Sequence, residues 1–121
     1  MTILLLLALF QLKHLICDFF LQVPYHYKNK GTYGHPGGGE HAVIHALGTT
    51  VFLPWFTGIG FAVLLVLAEA IFHYHVDWAK MNINAARGWG PTTHESFWYL
   101  LGVDQALHQI SYIVMVAIIL A

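Results

Sequence analysis

The stretch "HLICDFFLQ", residues 14–22, places a histidine and an aspartate inside the first long apolar run of the chain. Ionisable side chains are costly in the hydrocarbon of a membrane, and where they occur they mark a functional site by default. The 121 residues are 58% hydrophobic and 9% charged, whereas an ordinary soluble domain is about one quarter charged. The composition therefore predicts a membrane protein in which His14 and Asp18 have polar partners.

Four apolar stretches, each near the roughly 20 residues that a membrane helix needs, cover residues 2–23, 40–56, 60–81 and 97–121. The glycine-rich segment "KNKGTYGHPGGGE" (28–40) predicts a surface loop, and "FTGIG" (56–60) predicts a tight turn between the second and third helices. Thr92, Thr93 or Ser96 is expected to cap the last helix. We therefore predict one all-α domain over residues 1–121, an integral membrane four-helix bundle with up-down-up-down topology.

The few cations predict the orientation of this bundle. Lys28 and Lys30 lie in the first connection, and Lys80 and Arg87 lie at or in the third. By the positive-inside rule both connections face the cytoplasm, and both termini lie on the other side. The net charge of −1 leaves no basic stripe for phosphate neutralisation, which argues against nucleic-acid binding.

Each predicted helix carries ionisable residues four positions apart, a spacing that places side chains roughly 40° apart on one helix face. They are His14 and Asp18 on the first helix, His41 and His45 on the second, Glu69, His73 and Asp77 on the third, and Asp104 and His108 on the fourth. These residues come late in the first and third helices and early in the second and fourth. In an up-down-up-down bundle they would meet at one depth, near the cytoplasmic face.

Histidines and carboxylates at one depth indicate a site for a divalent transition metal such as zinc, iron or manganese. The candidate ligands are His14, Asp18, His41, His45, His73, Asp77, Asp104 and His108. Such a number exceeds what one tetrahedral zinc ion uses, so we expect two metals, or one metal with supporting carboxylate–histidine pairs. The alternative is that these residues hydrogen-bond across helices or relay protons without a metal.

Three further positions complete the predicted site. Glu69 lies one turn deeper than His73, where it is a ligand, a general base or a buried hydrogen-bonding group. Gln22 lies one turn beyond Asp18, near the mouth of the site. Lys28 suits an anionic lipid head group close to that mouth.

The motifs "HLICDFFLQ" with "KNK", "HAVIH", "HYHVDWAK" and "DQALH" resemble, in this order, those of the small bacterial and phage membrane proteins catalogued as domain of unknown function 3307. The resemblance covers nearly the whole chain. It implies a helical protein of the bacterial inner membrane and adds Lys80 and Gln105 to Gln22 as residues on matching positions. A looser similarity to membrane proteins described as metal-dependent hydrolases implies an activity, which the family itself does not supply.

As an enzyme, the chain would be a metal-dependent hydrolase of a lipid or lipid-linked phosphoester or ester. Its metal centre would activate water, and Glu69 or an aspartate such as Asp77 would accept the proton. The alternative is a transporter or binding protein for divalent metal or protons, which would require a homo-oligomer to form a path. The outer halves of the helices, such as "TILLLLALF", are almost entirely apolar, which favours a one-sided site over a transmembrane pathway.

Overall fold

The computed structural model of the chain describes residues 2–121, which form helices joined by short connections. Helix α1 (Thr2–Leu15) continues into a π-helical turn (Ile16–Phe20), and five α-helices follow: α2 (Pro24–Asn29), α3 (Pro36–Thr50), α4 (Pro54–Thr57), α5 (Ile59–Arg87) and α6 (Glu95–Leu120). No strand occurs within residues 2–121. The prediction of an all-α chain is confirmed.

Three helical segments are long and apolar enough to cross a membrane: Thr2–Phe20, Ile59–Arg87 and Glu95–Leu120. The predicted second span is not one of them, because α3 has 15 residues. A helix of that length rises about 22 Å, which is less than the roughly 30 Å hydrocarbon core of a bilayer. Because α3 begins at Pro36 and ends at Thr50, the predicted bounds of 40–56 are wrong at both ends.

The glycine run that was predicted to be a loop is the first turn of α3. Pro36 begins the helix, where its missing N–H leaves no extra unpaired donor, and His35 Nδ1 accepts a hydrogen bond from Gly37 N at 3.0 Å. A Cβ on Gly37 would lie 2.8 Å from the carbonyl oxygen of Tyr25. This glycine is thus required for the close packing of α2 against α3, not for flexibility.

The C-terminal end of the predicted second helix is broken by a proline. Helix α3 ends at Thr50, and Pro54, which has no N–H for a bond to the preceding turn, begins the single turn α4. Gly58 follows with a φ of 81°, in the left-handed region that favours glycine. It leads directly into α5.

The last two helices also differ from the predicted bounds. Helix α5 continues to Arg87, beyond the predicted end at residue 81, and stops at Gly88, which has a left-handed φ of 67°. The N-cap of α6 is His94, so none of the three predicted capping residues occupies that position. The added residues 82–87 include the polar Asn82, Asn84 and Arg87, which continue α5 because helical hydrogen bonding does not require an apolar sequence.

Helices α1, α3, α5 and α6 surround a common core, with contacts from α1 to α3, α3 to α5, α5 to α6 and α6 to α1. Part of this core is an apolar cluster of residues that come early in α1 and α5 and late in the α3–α4 segment and α6. Its members are Leu6, Phe10, Phe52, Leu53, Ala62, Leu65, Val66, Tyr112, Met115 and Val116. Large apolar side chains also cover the outside of the molecule, where Leu4 is 73% and Ile59 76% exposed, as expected for a surface that faces lipid or a partner.

Candidate metal centre

Histidines and carboxylates occupy the rest of the core. All the residues selected as metal ligands from the sequence are buried there, and we call them together the polar layer: His14, Asp18, His41, His45, His73, Asp77, Asp104 and His108. They come from α1 and its π-helical turn, α3, α5 and α6. The four-residue pairs of separate helices thus converge in one place.

Asp18 joins three helices through its two carboxylate oxygens. Oδ1 lies 3.1 Å from His41 Nε2 and 2.9 Å from His45 Nε2. Oδ2 lies 3.1 Å from both His14 Nε2 and Gln105 Nε2. These neighbours use the roughly four lone-pair positions of a carboxylate. Asp18 also lies in the π-helical turn, a form of helix that is frequent at functional sites.

Asp77 is the second carboxylate around which histidines gather. Its Oδ2 lies 3.3 Å from His41 Nε2 and 3.3 Å from His73 Nε2. Its Oδ1 lies 3.8 Å from His108 Nε2. Because His41 is close to both Asp18 and Asp77, the two carboxylates belong to one continuous polar layer.

Two sets of side chains are close enough to hold metal ions. The four-ligand group is Asp18, His41, His45 and His73, and the three-ligand group is His73, Asp77 and His108. Within each group, one ligand atom of every residue lies within 4.8 Å of the others. Metal–nitrogen bonds of about 2.0–2.1 Å in a tetrahedron place ligand atoms about 3.3 Å apart. The 2.9–3.3 Å separations of Asp18 from His45 and of Asp77 from His73 are close to that value.

Several buried polar atoms of this layer have no hydrogen-bond partner among residues 2–121. They are Nδ1 and Nε2 of His73, Nδ1 of His41, Nε2 of His108 and Oδ1 of Asp104. An unsatisfied buried donor or acceptor costs about 1–3 kcal/mol. A cation bound by His73 and His108 would satisfy their nitrogens, so the residues present fit a divalent transition metal with nitrogen and oxygen ligands.

Two of the predicted ligands lie outside both groups. His14 contacts Asp18, and its Nδ1 lies 2.9 Å from the hydroxyl of Tyr112. Asp104 Oδ1 lies 3.5 Å from His108 Nε2. His14 and Asp104 can therefore orient the ligands Asp18 and His108, respectively, without themselves binding metal.

A buried ion pair lies beside the polar layer. Lys13 donates to the Glu69 carboxylate and to the Tyr112 hydroxyl, the latter at 3.1 Å. Its Nζ lies 3.4 Å from His45 Nδ1. Glu69, predicted as a ligand, base or hydrogen-bonding group, is therefore paired with a lysine and belongs to neither ligand group.

Lys13 and Tyr112 are not among the residues predicted for the site, although the sequence contains a signal for each. Tyr112 follows Asp104 and His108 at the same spacing of four residues, and so continues their stripe on α6. Lys13 is an ionisable residue within an apolar run, which by itself indicates function in a membrane helix. Lys13 lies next to His14, about 100° around the helix, and therefore outside the helix face that carries His14 and Asp18.

The predicted substrate-binding lysines differ in their positions. Lys80 Nζ lies 2.9 Å from Asp104 Oδ2 and 3.5 Å from Asp77 Oδ1. Lys28 is exposed on α2, whereas Lys30 is buried, with its Nζ 3.0 Å from Asp77 Oδ2. The lysine next to the polar layer is thus Lys30 and not Lys28, because the short helix α2, which the sequence did not predict, determines which lysine faces inward.

The two glutamines support Asp18. Gln105 donates from Nε2 to Asp18 Oδ2, and its Oε1 lies 2.9 Å from His14 Nε2. Gln22 donates from Nε2 to the backbone oxygen of Asp18 at 2.9 Å. Gln105 therefore contacts the Asp18 carboxylate, whereas Gln22 contacts only the backbone of Asp18.

The fold and the polar layer define a class of protein: a small all-α chain, with three helices long enough to span a membrane and buried His/Asp groups able to hold metal ions. The model of the family described as "Protein of unknown function (DUF3307)" matches residues 4–121, and the chain belongs to this family. The family predicted from the motifs is thereby confirmed. Neither a curated protein nor a solved structure matches the sequence.

Proposed function

We propose that the chain is an integral membrane protein whose polar layer binds divalent transition-metal ions and uses them to hydrolyse a phosphoester or ester of a lipid or lipid-linked compound. The observation that carries this proposal is that the four-ligand and three-ligand groups meet at His73. In the described part of the chain, the buried Nδ1 and Nε2 of His73 and Nε2 of His108 have no hydrogen-bond partner. Zinc, iron and manganese all suit these ligands.

We further propose that α1, the α3–α4 segment (36–57), α5 and α6 form an up-down-up-down bundle with both termini on the non-cytoplasmic side, in which the α3–α4 segment makes the second crossing that α3 alone is too short to make. The apolar cluster supports alternating directions, since it combines early residues of α1 and α5 with late residues of the α3–α4 segment and α6. The polar layer then lies towards the connections that carry Lys28, Lys30 and Arg87, which the positive-inside rule assigns to the cytoplasm.

The two ligand groups suit different tasks. Four protein ligands are typical of a closed structural zinc site, whereas three leave a position for water or substrate. The three-ligand group is therefore the expected site of chemistry. A divalent metal there would polarise the substrate oxygen and lower the pKa of bound water.

The proton acceptor that best fits the geometry is Asp104. Its Oδ1 has no hydrogen-bond partner within residues 2–121 and lies 3.5 Å from His108 Nε2, while Oδ2 is held by Lys80 at 2.9 Å. In hydrolysis of a phosphoester, one water proton passes to Asp104, the water oxygen forms a bond to phosphorus, and the bond from phosphorus to the alcohol oxygen breaks. The proton on Asp104 then passes to that alcohol oxygen.

The apolar cluster favours hydrolysis over transport. A transport path needs polar groups along the whole membrane depth, whereas Leu6, Phe10, Leu65 and Met115 are buried against one another in the part of the core away from the polar layer. This arrangement supports a site that is accessible from one side only.

The proposal is tested by elemental analysis of the purified protein in detergent, together with hydrolysis of p-nitrophenyl phosphate and p-nitrophenyl acetate. We expect bound zinc, iron or manganese in the wild type, a reduced content in His41→Ala, and an unchanged content in the matched control His75→Ala, because His75 is exposed. Less than about half an equivalent of metal in the wild type would refute a tightly bound centre. Metal without turnover of either ester, together with metal uptake by proteoliposomes, would instead favour the transporter.

A further inference from the structure

A groove between α5 and α6 reaches the polar layer from the side of the bundle. It has a volume of about 320 Å³, and its apolar walls include Phe72, Ile83, Val103 and Leu107. These four side chains are between 38% and 54% exposed. The charged residues that line the groove are Lys80 and Asp104, and they lie 2.9 Å apart. The groove therefore joins a surface suited to a hydrocarbon chain to the residues beside the three-ligand group.

The charge of the polar layer indicates what its occupant would be. The polar layer contains three aspartates, Asp18, Asp77 and Asp104, and Lys30 and Lys80 pair with Asp77 and Asp104. With neutral imidazoles, the layer and these two lysines together have one negative charge in excess. Two divalent metals would reverse this sign and leave several positive charges buried without compensation, which is strongly unfavourable. A dianionic ligand reduces the excess from three positive charges to one, whereas a neutral carboxylic ester leaves all three.

The two lysines are placed to bind such an anion. Lys30 Nζ and Lys80 Nζ lie 3.0 Å and 3.5 Å from opposite oxygens of Asp77. When Asp77 coordinates a metal, its charge is shared with that metal, and the ammonium groups on either side of it become available to a phosphate. The buried Oδ1 of Asp104 lies at the same place and has no hydrogen-bond partner among the described residues; as an acceptor it would take a proton from the attacking water rather than bind the phosphate.

We propose that the substrate is a lipid phosphomonoester, which enters sideways from the bilayer with its hydrocarbon chain in the α5–α6 groove and its phosphate between Lys80, Lys30 and the three-ligand group. This inference rests on the proposed function, since it needs metal in the polar layer. It selects phosphate over carboxylic ester, and a lateral route over entry from water.

The experiment measures binding of inorganic phosphate and of phosphatidic acid to metal-loaded protein in neutral detergent, with metal content determined for every sample. Phosphatidic acid is used as its phosphonate analogue, so that the proposed hydrolysis does not consume it. We expect both ligands to bind the wild type. Lys80→Met should weaken both by about 10- to 100-fold, the loss of one hydrogen bond to a charged group. Lys80→Arg should retain most of the binding, and Lys28→Met, which removes an exposed lysine, should retain all of it.

The groove is tested separately by filling it. Val103→Trp, in the wall, should weaken phosphatidic acid binding while leaving inorganic phosphate binding unchanged, and Ile113→Trp, which adds the same bulk at another exposed position of α6, should change neither. Binding of inorganic phosphate without binding of phosphatidic acid would overturn the lateral route. Metal-loaded protein that binds neither ligand would overturn the whole inference but not the metal centre. Wild type without metal would refute the proposed function itself.

Discussion

His73 belongs to both ligand groups, and because each ring nitrogen has one lone pair, it would serve two ions as a bridging imidazolate with one nitrogen on each. Its replacement should therefore have a different effect on metal binding from the replacement of any other histidine. His108→Ala removes one of three ligands from the three-ligand group and none from the four-ligand group. His73→Ala also leaves two ligands in the three-ligand group, but reduces the four-ligand group to Asp18, His41 and His45. Both variants should lose one ion, and only His73→Ala should weaken the binding of the ion that remains.

The size of this second effect follows from the number of ligands. A structural zinc site with four ligands has an apparent binding free energy of about 10–16 kcal/mol, so an even share is about 3 kcal/mol per ligand. His73→Ala should therefore weaken the remaining ion by roughly 100-fold. His108→Ala should leave the affinity of that ion near the wild-type value.

The assay is equilibrium dialysis against buffered zinc, followed by elemental analysis of the protein. We expect about two ions in the wild type and about one in each variant, with the two variants separated by their affinity for that ion. His75→Ala on the same helix is the control and should match the wild type, because His75 is exposed. Retention of both ions by His108→Ala would show that the three-ligand group is not a site, and equal affinities in the two variants would refute the sharing of His73.

Three other predictions concern stability and pH. Gly37→Ala should destabilise the protein by about 1–3 kcal/mol, because the new Cβ would lie 2.8 Å from Tyr25 O. Gly39→Ala should stabilise it by about 0.5–1 kcal/mol, because nothing lies within 4 Å of its new Cβ. Equal thermal denaturation midpoints for the two variants would contradict the close packing at Gly37. Lys13→Met should lower the free energy of unfolding by about 3–5 kcal/mol, because it leaves Glu69 buried without its cation. In chemical denaturation, the double variant Lys13→Met/Glu69→Leu should recover most of that loss. No recovery would show that the ion pair is not the cause. Bound metal should be lost as the pH falls through about 6, since imidazole must be deprotonated to bind a metal; a metal content that stays constant down to about pH 4 would argue against histidine ligands.

The spacing of residues within a helix was the most informative part of the sequence. His41 and His45, or Asp104 and His108, are four residues apart, and the regular geometry of an α-helix places such pairs on one face whatever the rest of the fold does. Ionisable side chains that are buried among apolar helices require polar partners. The polar layer could therefore be predicted from local periodicity and the cost of burying charge.

The helix bounds and the lysine partners could not be predicted in this way. Glycine is needed at helical position 37 because a Cβ there would lie 2.8 Å from the carbonyl oxygen of Tyr25. Composition does not reveal this contact between two helices. The inward position of Lys30 depends on α2, a helix of 6 residues, too short to give a periodic pattern. Its partner Asp77 is 47 positions away, and one sequence alone contains no signal for such a pairing.

The contacts between α1 and α6 have a consequence for biosynthesis. His14 meets Tyr112 across 98 positions of the chain, and Asp18 meets Gln105 across 87. At about 5–20 residues per second, the ribosome needs roughly 5–20 s to make the segment between these partners. During that interval His14 lacks Tyr112 and Asp18 lacks Gln105, although His41, His45 and Glu69 are made earlier. A chain truncated before α6 should therefore be less stable in the membrane and become a substrate for membrane quality-control proteases.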